Sequence, residues 1–400
     1  MDPGMIGDRK ARILVLNKIS PVGLNRLPAD LYEISDAFEA PDAVFVRSAD
    51  MHGSPVPASV LAIGRAGAGT NNIPVAAMSA RGVPVFNAPG ANANAVKELV
   101  LAAMLMASRN LPGALRFVAS LDVEAADLDE RVEAGKKNFA GRELAERTLG
   151  VIGLGKIGSL VAEAAIGLGM KVIGYDPEIT VDAAWGLPAQ VRKAFSVPEL
   201  LRASDFVTIH VPLIEATRHL INAEMLEQMR TGATLLNFAR GGVVDDSAVR
   251  VALDENQLGH YVCDFPSRTL AGHPRAIALP HLGASTAEAE ENCAIMVAEQ
   301  LRDYLEHGNV RNTVNFPTVS MPRESADRIA IANANVPNMV GQISTEMAQA
   351  GLNIHNMINK SRGEVAYTML DVDSPVRREV IDALCAIPGV LNVRYLPLPR

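Results

Sequence analysis

TLGVIGLGKIGSLVAEAAIGLGMKVIGYD, residues 148–176, is the stretch on which the fold turns. An apolar strand pattern at Leu149–Ile152 runs into Gly153-Leu-Gly155-Lys156-Ile157-Gly158. A helix follows with Ile157, Leu160, Val161, Ala164 and Leu168 on one face, and Gly169 stands where a C-cap belongs. Lys171–Tyr175 reads as the next strand, and Asp176 ends it, 18 residues beyond Gly158. The glycines permit a tight turn and let the backbone approach a pyrophosphate drawn to the positive end of the helix. The glycine pattern carries little by itself. Set between a strand and a helix, with an acid after the next strand, it specifies a dinucleotide site. Asp176 would accept hydrogen bonds from the adenine-ribose hydroxyls and repel a 2′-phosphate. Pro177 and Glu178 follow, with no arginine to hold such a phosphate, so the expected cofactor is NAD rather than NADP.

Strand patterns continue at Phe206–His210, Thr234–Phe238, Tyr261–Asp264 and Ala276–Leu279, spaced for a Rossmann-type doubly wound parallel sheet. Upstream, short apolar runs at Arg12–Asn17, Ala43–Arg47, near Val60–Ile63 and at Val83–Asn87 predict a second, flavodoxin-like α/β domain behind a loose end at residues 1–10. Between the two lies Asn94–Arg109, a helix apolar on most faces and therefore expected to be buried. Ser285-Thr-Ala-Glu288 has the capping-box form and opens a helix to about Leu305. Cys293, Met296, Val297, Leu301, Tyr304 and Leu305 share one face of it, which suits a crossing back to the first domain. Glu290 and Glu291 read as its solvated face. The prolines of Asn315–Arg323 suggest a linker.

Beyond it, strands at Arg328–Asn333, Asn353–Asn359, Val365–Asp371 and Leu391–Leu396 alternate with helices at Val340–Ala350 and Val376–Ala386. That βαββαβ order is ferredoxin-like. The expected division is a substrate domain at 1–93 completed by 286–316, a dinucleotide domain at 94–285, a linker at 317–326 and a C-terminal domain at 327–400.

Bulk properties fit this division. The 400 residues exceed what one core serves, and 48% apolar with 20% charged residues suits a globular protein. A net charge of −8 argues against general binding to nucleic acid or a membrane surface. Cys263, Cys293 and Cys385 lack metal-ligand or redox spacing and read as buried filler. The N-terminus has no signal-peptide core, and the longest apolar run falls far short of the ~20 residues of a membrane helix. A cytoplasmic protein is expected.

Two residues carry the prospective chemistry. His281 follows a strand end, at the mouth of the sheet where α/β sites lie, and imidazole exchanges a proton near neutral pH. Arg240 also follows a buried strand, and its guanidinium fork suits a carboxylate. Position alone leaves His281 open between a base and a capping histidine. It leaves Arg240 open between a carboxylate clamp and a structural partner of Asp264.

Taken together, Gly153–Gly158 with Asp176, Arg240-Gly-Gly, Asp264 and Pro280-His281 resemble the D-2-hydroxyacid dehydrogenase family in order and spacing. Within it the chain is most similar to the phosphoglycerate dehydrogenases. That similarity is carried by Arg47-Ser48, Gly64–Asn72, Asn87–Glu98, Asn237–Asp245 and His281–Glu288. The resemblance implies NAD-linked oxidation of 3-phosphoglycerate. It assigns the general acid/base to His281, the substrate carboxylate to Arg240 and the turn Gly67-Ala68, and the substrate phosphate to Arg47 and Ser48. Gly153, Gly155, Lys156, Ile157, Asp176, His210, Val211, Pro212, Thr217, Phe238, Ala239, Arg240, Asp264, His281 and Gly283 would line the cofactor, with Asp264 on the nicotinamide amide. His210 is more often structural than catalytic.

One departure stands out. The family places a glutamate against the catalytic histidine about five residues after the Asp264 position, and this chain has Thr269 there. Its imidazolium loses that support, which moves the pH profile of oxidation toward lower pH unless another acid serves. Residues 327–400 resemble an ACT-type module, with Asn335 and Asn353 at positions that bind effector serine, so L-serine control and a homodimer or homotetramer are implied. Asn333 and Asn338 stand where relatives often have histidine and glycine. The neighbouring readings are another 2-hydroxy acid (hydroxypyruvate, glyoxylate or 2-oxoglutarate as the oxidised partner) and an NAD(H)-sensing binding protein.

Overall fold

The computed structural model describes residues 9–53 and 55–398. Residues 1–8 of the expected loose end lie outside the described residues. The chain divides into two compact units, one running from Ala93 to Thr286 and the other combining the chain up to Asn92 with the chain from Ala287 onward.

In the unit formed by the flanking segments, the first sheet comprises β1 (Ala11–Leu16), β2 (Tyr32–Ser35), β3 (Ala43–Val46), β4 (Ala62–Arg65) and β5 (Val85–Phe86). Their order is β2-β1-β3-β4-β5, all parallel. The helix Ala287–His307 buries Cys293, Ala294, Val297, Leu301, Tyr304 and Leu305 in one core with Ile13, Phe45 and Phe86. It approaches β4 so closely that a Cβ on Gly64 would lie 2.5 Å from Val297 Cγ1.

The middle unit holds β6 (Thr148–Ile152), β7 (Lys171–Tyr175), β8 (Arg192–Lys193), β9 (Phe206–Ile209), β10 (Ala233–Asn237), β11 (Leu258–Cys263) and β12 (Ala276–Ala278). The seven strands are parallel in the order β12-β11-β10-β9-β6-β7-β8. Helices on both faces bury the strands twice over, which explains their near-continuous apolar runs. Val96, Val100 and Met104 of Ala93–Ser108 pack with Leu149, Val151 and Val161 on one face, while Leu200, Leu235, Val249 and Leu253 fill the other. Within this unit one stripe of Ala93–Ser108 is covered, and Leu105 is 43% exposed.

The C-terminal sheet contains β13 (Asp327–Ala334), β14 (Ile354–Arg362), β15 (Val365–Val372) and β16 (Val390–Pro397), antiparallel in the ferredoxin-like order β14-β15-β13-β16. Helices Met339–Gln349 and Arg378–Ala386 cover one face through Ile343, Met347, Ile381 and Leu384. The opposite face sends Ala330, Ala332, Tyr367, Met369 and Leu396 into the same core as Phe86, Tyr304 and Phe316. Two buried arginines lock this junction. Arg394 donates to the carbonyls of Tyr304 and Leu305, both at 2.9 Å, and Arg328 donates to that of His307 at 3.1 Å. These carbonyls lie in the last turn of Ala287–His307, where helix-end acceptors need partners and a cation is favoured. Arg328 also holds Asp371 through two bonds of 2.6 and 2.9 Å.

The linker expected around Asn315–Arg323 lacks regular structure but is packed. Phe316 is 1% exposed and Val319 fully buried, because the sheet face needs apolar cover there. β2 and β8 were not anticipated. Both are edge strands, and β8 offers no apolar residue to read.

Candidate active site

Ligands of open α/β sheets bind at the carboxyl ends of the strands, where the strand order reverses. In the middle unit that point lies between β6 and β9. The turn after β6 and the loop after β9 meet there. Gly153 has φ +89°, and a Cβ on it would lie 2.9 Å from the His210 carbonyl. A Cβ on Gly158 would lie 1.9 Å from the Gly153 oxygen, whereas one on Gly155 meets nothing within 4 Å. Two glycines therefore close the turn and the third leaves open space at the start of helix Lys156–Gly167. An open amide cradle at a helix N-terminus fits a dinucleotide pyrophosphate. Lys156 is exposed and Ile157 half-buried beside it.

Asp176 follows β7 and accepts from the amides of Leu154 at 2.8 Å and Glu178 at 3.0 Å, one on each carboxylate oxygen. Each oxygen keeps a lone pair for a ribose hydroxyl. His210 Nε2 meets the Thr208 hydroxyl at 2.9 Å, and its buried Nδ1 has no partner. Burial pushes the imidazole down to about 3. Val211 and Pro212 continue this loop, and the Thr217 hydroxyl closes it on the Pro212 carbonyl at 2.5 Å.

The turn after β10 carries Arg240, exposed, with Nη1 on the Ala239 carbonyl at 2.7 Å. It is not paired with Asp264. Asn237, fully buried, braces it by donating to the Arg240 carbonyl at 2.9 Å and accepting from Ala239 N at 3.2 Å. Phe238 and Ala239 are buried between them. Asn237 is not among the expected site residues. Its place at the last position of an apolar strand was the available signal.

His281 is exposed and sits at φ +57°, a left-handed conformation unusual for a residue with a side chain. Its amide donates to the Asp264 carbonyl at 3.1 Å. The Asp264 carboxylate accepts from Leu282 N and Gly283 N, each at 2.7 Å. Asp264 is 2% exposed. Both of its oxygens are committed to the loop that presents His281. The imidazole packs on Phe265 with centroids 5.0 Å apart, and among the described residues no ion pair includes it. Thr269 is exposed and supplies no substitute carboxylate.

In the other unit the order reverses between β1 and β3. Asn17, after β1, accepts from the amides of Ser48 and Ala49 and so fixes the loop that carries Arg47 and Ser48. Arg47 is bonded to Glu290, which keeps its place on a solvent-facing side of the helix while taking a partner. Arg65 Nε donates to the Arg47 carbonyl at 3.0 Å. The Gly67-Ala68 turn is held by Ala88 N on the Gly67 carbonyl at 3.0 Å and by Asn87 Nδ2 on that of Ala68 at 2.6 Å.

Asn335 and Asn353 are not brought together within one chain. Asn335 bonds to Gly363 beside the Ala334–Val365 end of the sheet, and Asn353 to Asp373 beside the Asp327–Val372 end. Asn338 has φ +62°, which accounts for an asparagine where glycine is common. Among the described residues no helix is long and apolar enough to cross a membrane.

The family model described as D-isomer specific 2-hydroxyacid dehydrogenase, NAD binding domain, matches residues 101–283. The chain is 39% identical over 273 residues to D-3-phosphoglycerate dehydrogenase of Methanocaldococcus jannaschii, covering 67% of this chain and 49% of that one. It is 34% identical over 349 residues to D-3-phosphoglycerate dehydrogenase of Haemophilus influenzae, covering 84% and 81%. The matches span about half the length of the first of these relatives. NAD+-bound 3-phosphoglycerate dehydrogenase of Entamoeba histolytica superposes with a TM-score of 0.60 at 26% identity, over 76% of this chain and 99% of that one. The dinucleotide turn, the Arg240 and His281 loops and these matches have one origin: the chain belongs to the D-2-hydroxyacid dehydrogenase family, with an NAD-binding domain at its centre and a further C-terminal domain.

Proposed function

We propose that the chain oxidises 3-phosphoglycerate to 3-phosphohydroxypyruvate with NAD, the opening step of L-serine synthesis. The observation that carries the reading is His281, held in a left-handed backbone by Asp264 at the carboxyl end of the sheet whose switch point bears the Gly153 turn. NAD, when bound, supplies the acceptor for the hydride leaving C2. His281 takes the hydroxyl proton, and Arg240 orients the carboxylate and keeps it from the reacting carbon. Asp176 favours the ribose diol over a 2′-phosphate and so NAD over NADP. Arg47 and Ser48 are assigned the phosphate, in keeping with the name shared by the curated relatives.

The ion pair between Arg47 and Glu290 favours a second reading, an unphosphorylated D-2-hydroxy acid, because it occupies the cation a phosphate needs. NADH formation from 3-phosphoglycerate and from D-glycerate decides between the two. A higher kcat/KM for the phosphorylated acid supports the first reading, and a higher one for D-glycerate replaces it with the second. Serine control belongs to the same proposal. Eight paired residues of β13 separate Asn335 from Asn353 by roughly 25 Å, so one serine meets both only across two copies of the module. An L-serine-dependent thermal shift lost in Asn335→Ala tests it.

A further inference from the structure

The loop bearing Arg47 is fixed from several sides. Arg65 Nε and Asn72 Nδ2 both donate to the Arg47 carbonyl, at 3.0 and 3.3 Å, and Asn17 accepts from the next two amides. Glu290 stands in the first turn of Ala287–His307, a helix seated on β4 by the side-chain-free surface of Gly64. Neither partner of the Arg47–Glu290 pair therefore arrives by chance of a loose loop. The two side chains are 39% and 42% exposed, so the pair faces water and a solute anion can compete for it. The buried thiol of Cys293 senses the same group of charges. Burial raises it, Arg65 and Arg47 act to lower it, and Glu290 to raise it. Two cations and one anion thus surround this corner of the sheet.

We propose that Glu290 is a specificity-determining residue, which sets how much a second anionic group on the substrate gains from Arg47. The inference rests on the assignment of Arg47 to the substrate phosphate. A phosphate that takes Arg47 competes with the Glu290 carboxylate for the guanidinium and lies beside it. The cation is shared between two anions, and a like-charge contact is added. A substrate without that group leaves the pair intact. Glu290 therefore narrows the preference for a phosphorylated over an unphosphorylated hydroxy acid. For a pair this exposed, removing the competing charge is worth about fivefold.

The test measures kcat/KM for 3-phosphoglycerate and for D-glycerate in the full chain and in Glu290→Gln, Arg47→Gln and the double variant. Glutamine keeps the shape and one acceptor of Glu290 without its charge. The ratio of the two substrates is expected to rise about fivefold in Glu290→Gln, through KM for 3-phosphoglycerate, with D-glycerate unchanged. In the Arg47→Gln background the same substitution should change nothing. Calorimetric binding of 3-phosphoglycerate, tightened in Glu290→Gln alone, gives the same order without turnover. An unchanged ratio, or equal changes for both substrates, overturns the role of Glu290 while Arg47→Gln still lowers the ratio. If Arg47→Gln leaves the ratio where it was, the phosphate assignment itself fails and takes this inference with it.

Discussion

The amide of His281 donates to the carbonyl of Asp264 at 3.1 Å, and the carboxylate of Asp264 then accepts from the next two amides, at 2.7 Å each. A strained backbone and a buried charge are satisfied by one another. The left-handed conformation costs roughly 1–2 kcal/mol for a residue with a side chain, and two charge-assisted bonds offset it.

Asp264→Asn tests this coupling. The amide retains one acceptor and turns a donor toward a backbone N–H, so the loop relaxes. A loss of about 2–3 kcal/mol in stability is expected, read by urea unfolding. The kcat should fall at least tenfold with KM for NAD nearly unchanged. An unaltered kcat would show that His281 is presented without Asp264.

The imidazole has Phe265 rather than a carboxylate beside it. Restoring an acid with Thr269→Glu should stabilise the imidazolium and move the acid limb of the oxidation profile to higher pH. Superimposable profiles for the two proteins would place the support of His281 elsewhere.

Arg328 and Asp371 are both fully buried, and the pair sits where the C-terminal sheet meets the end of Ala287–His307. Arg328→Met strands the Asp371 carboxylate and should cost about 3–5 kcal/mol. Arg328→Met with Asp371→Leu removes both charges and should recover part of that loss in the same unfolding measurement. Equal losses in the single and double variants would argue that the carbonyl contacts of Arg328, rather than the pair, hold the junction.

His210 gives a pH dependence. Its folded value of about 3 lies below the unfolded 6.5, so between those limits the unfolded chain binds the extra proton. Stability is complete above the unfolded value and falls as pH drops toward the folded one. At pH 5 the loss attributable to this group is about 2 kcal/mol. Urea unfolding at pH 7 and pH 5 should show it, and His210→Asn should reduce the difference.

What the chain reveals before folding is what local chemistry enforces. The Gly153 turn, the helix behind it and Asp176 are read within thirty residues because each position has one physical use. The βαββαβ order of the C-terminal domain is legible for the same reason, since its central strands are apolar runs buried on both faces. The Arg47–Glu290 pair joins residues 243 apart, and no pattern near either one announces it. The bonds from the Asp264 carboxylate to the His281 loop are hidden from the sequence because they depend on the backbone conformation of His281, which composition does not encode. The prolines around Phe316 advertise irregularity correctly and say nothing of burial.

The most direct measurement is NADH formation from 3-phosphoglycerate by the native chain and by His281→Asn, with NAD affinity measured alongside. Asparagine tolerates the left-handed backbone, so the loop survives while the exchangeable proton site is lost. The expected result is turnover by the native chain, a drop of about 10²–10⁴ in kcat for the variant and NAD binding that differs little between them. Native-like turnover by His281→Asn, or no NADH from the native chain with either 3-phosphoglycerate or D-glycerate, would contradict the role given to His281.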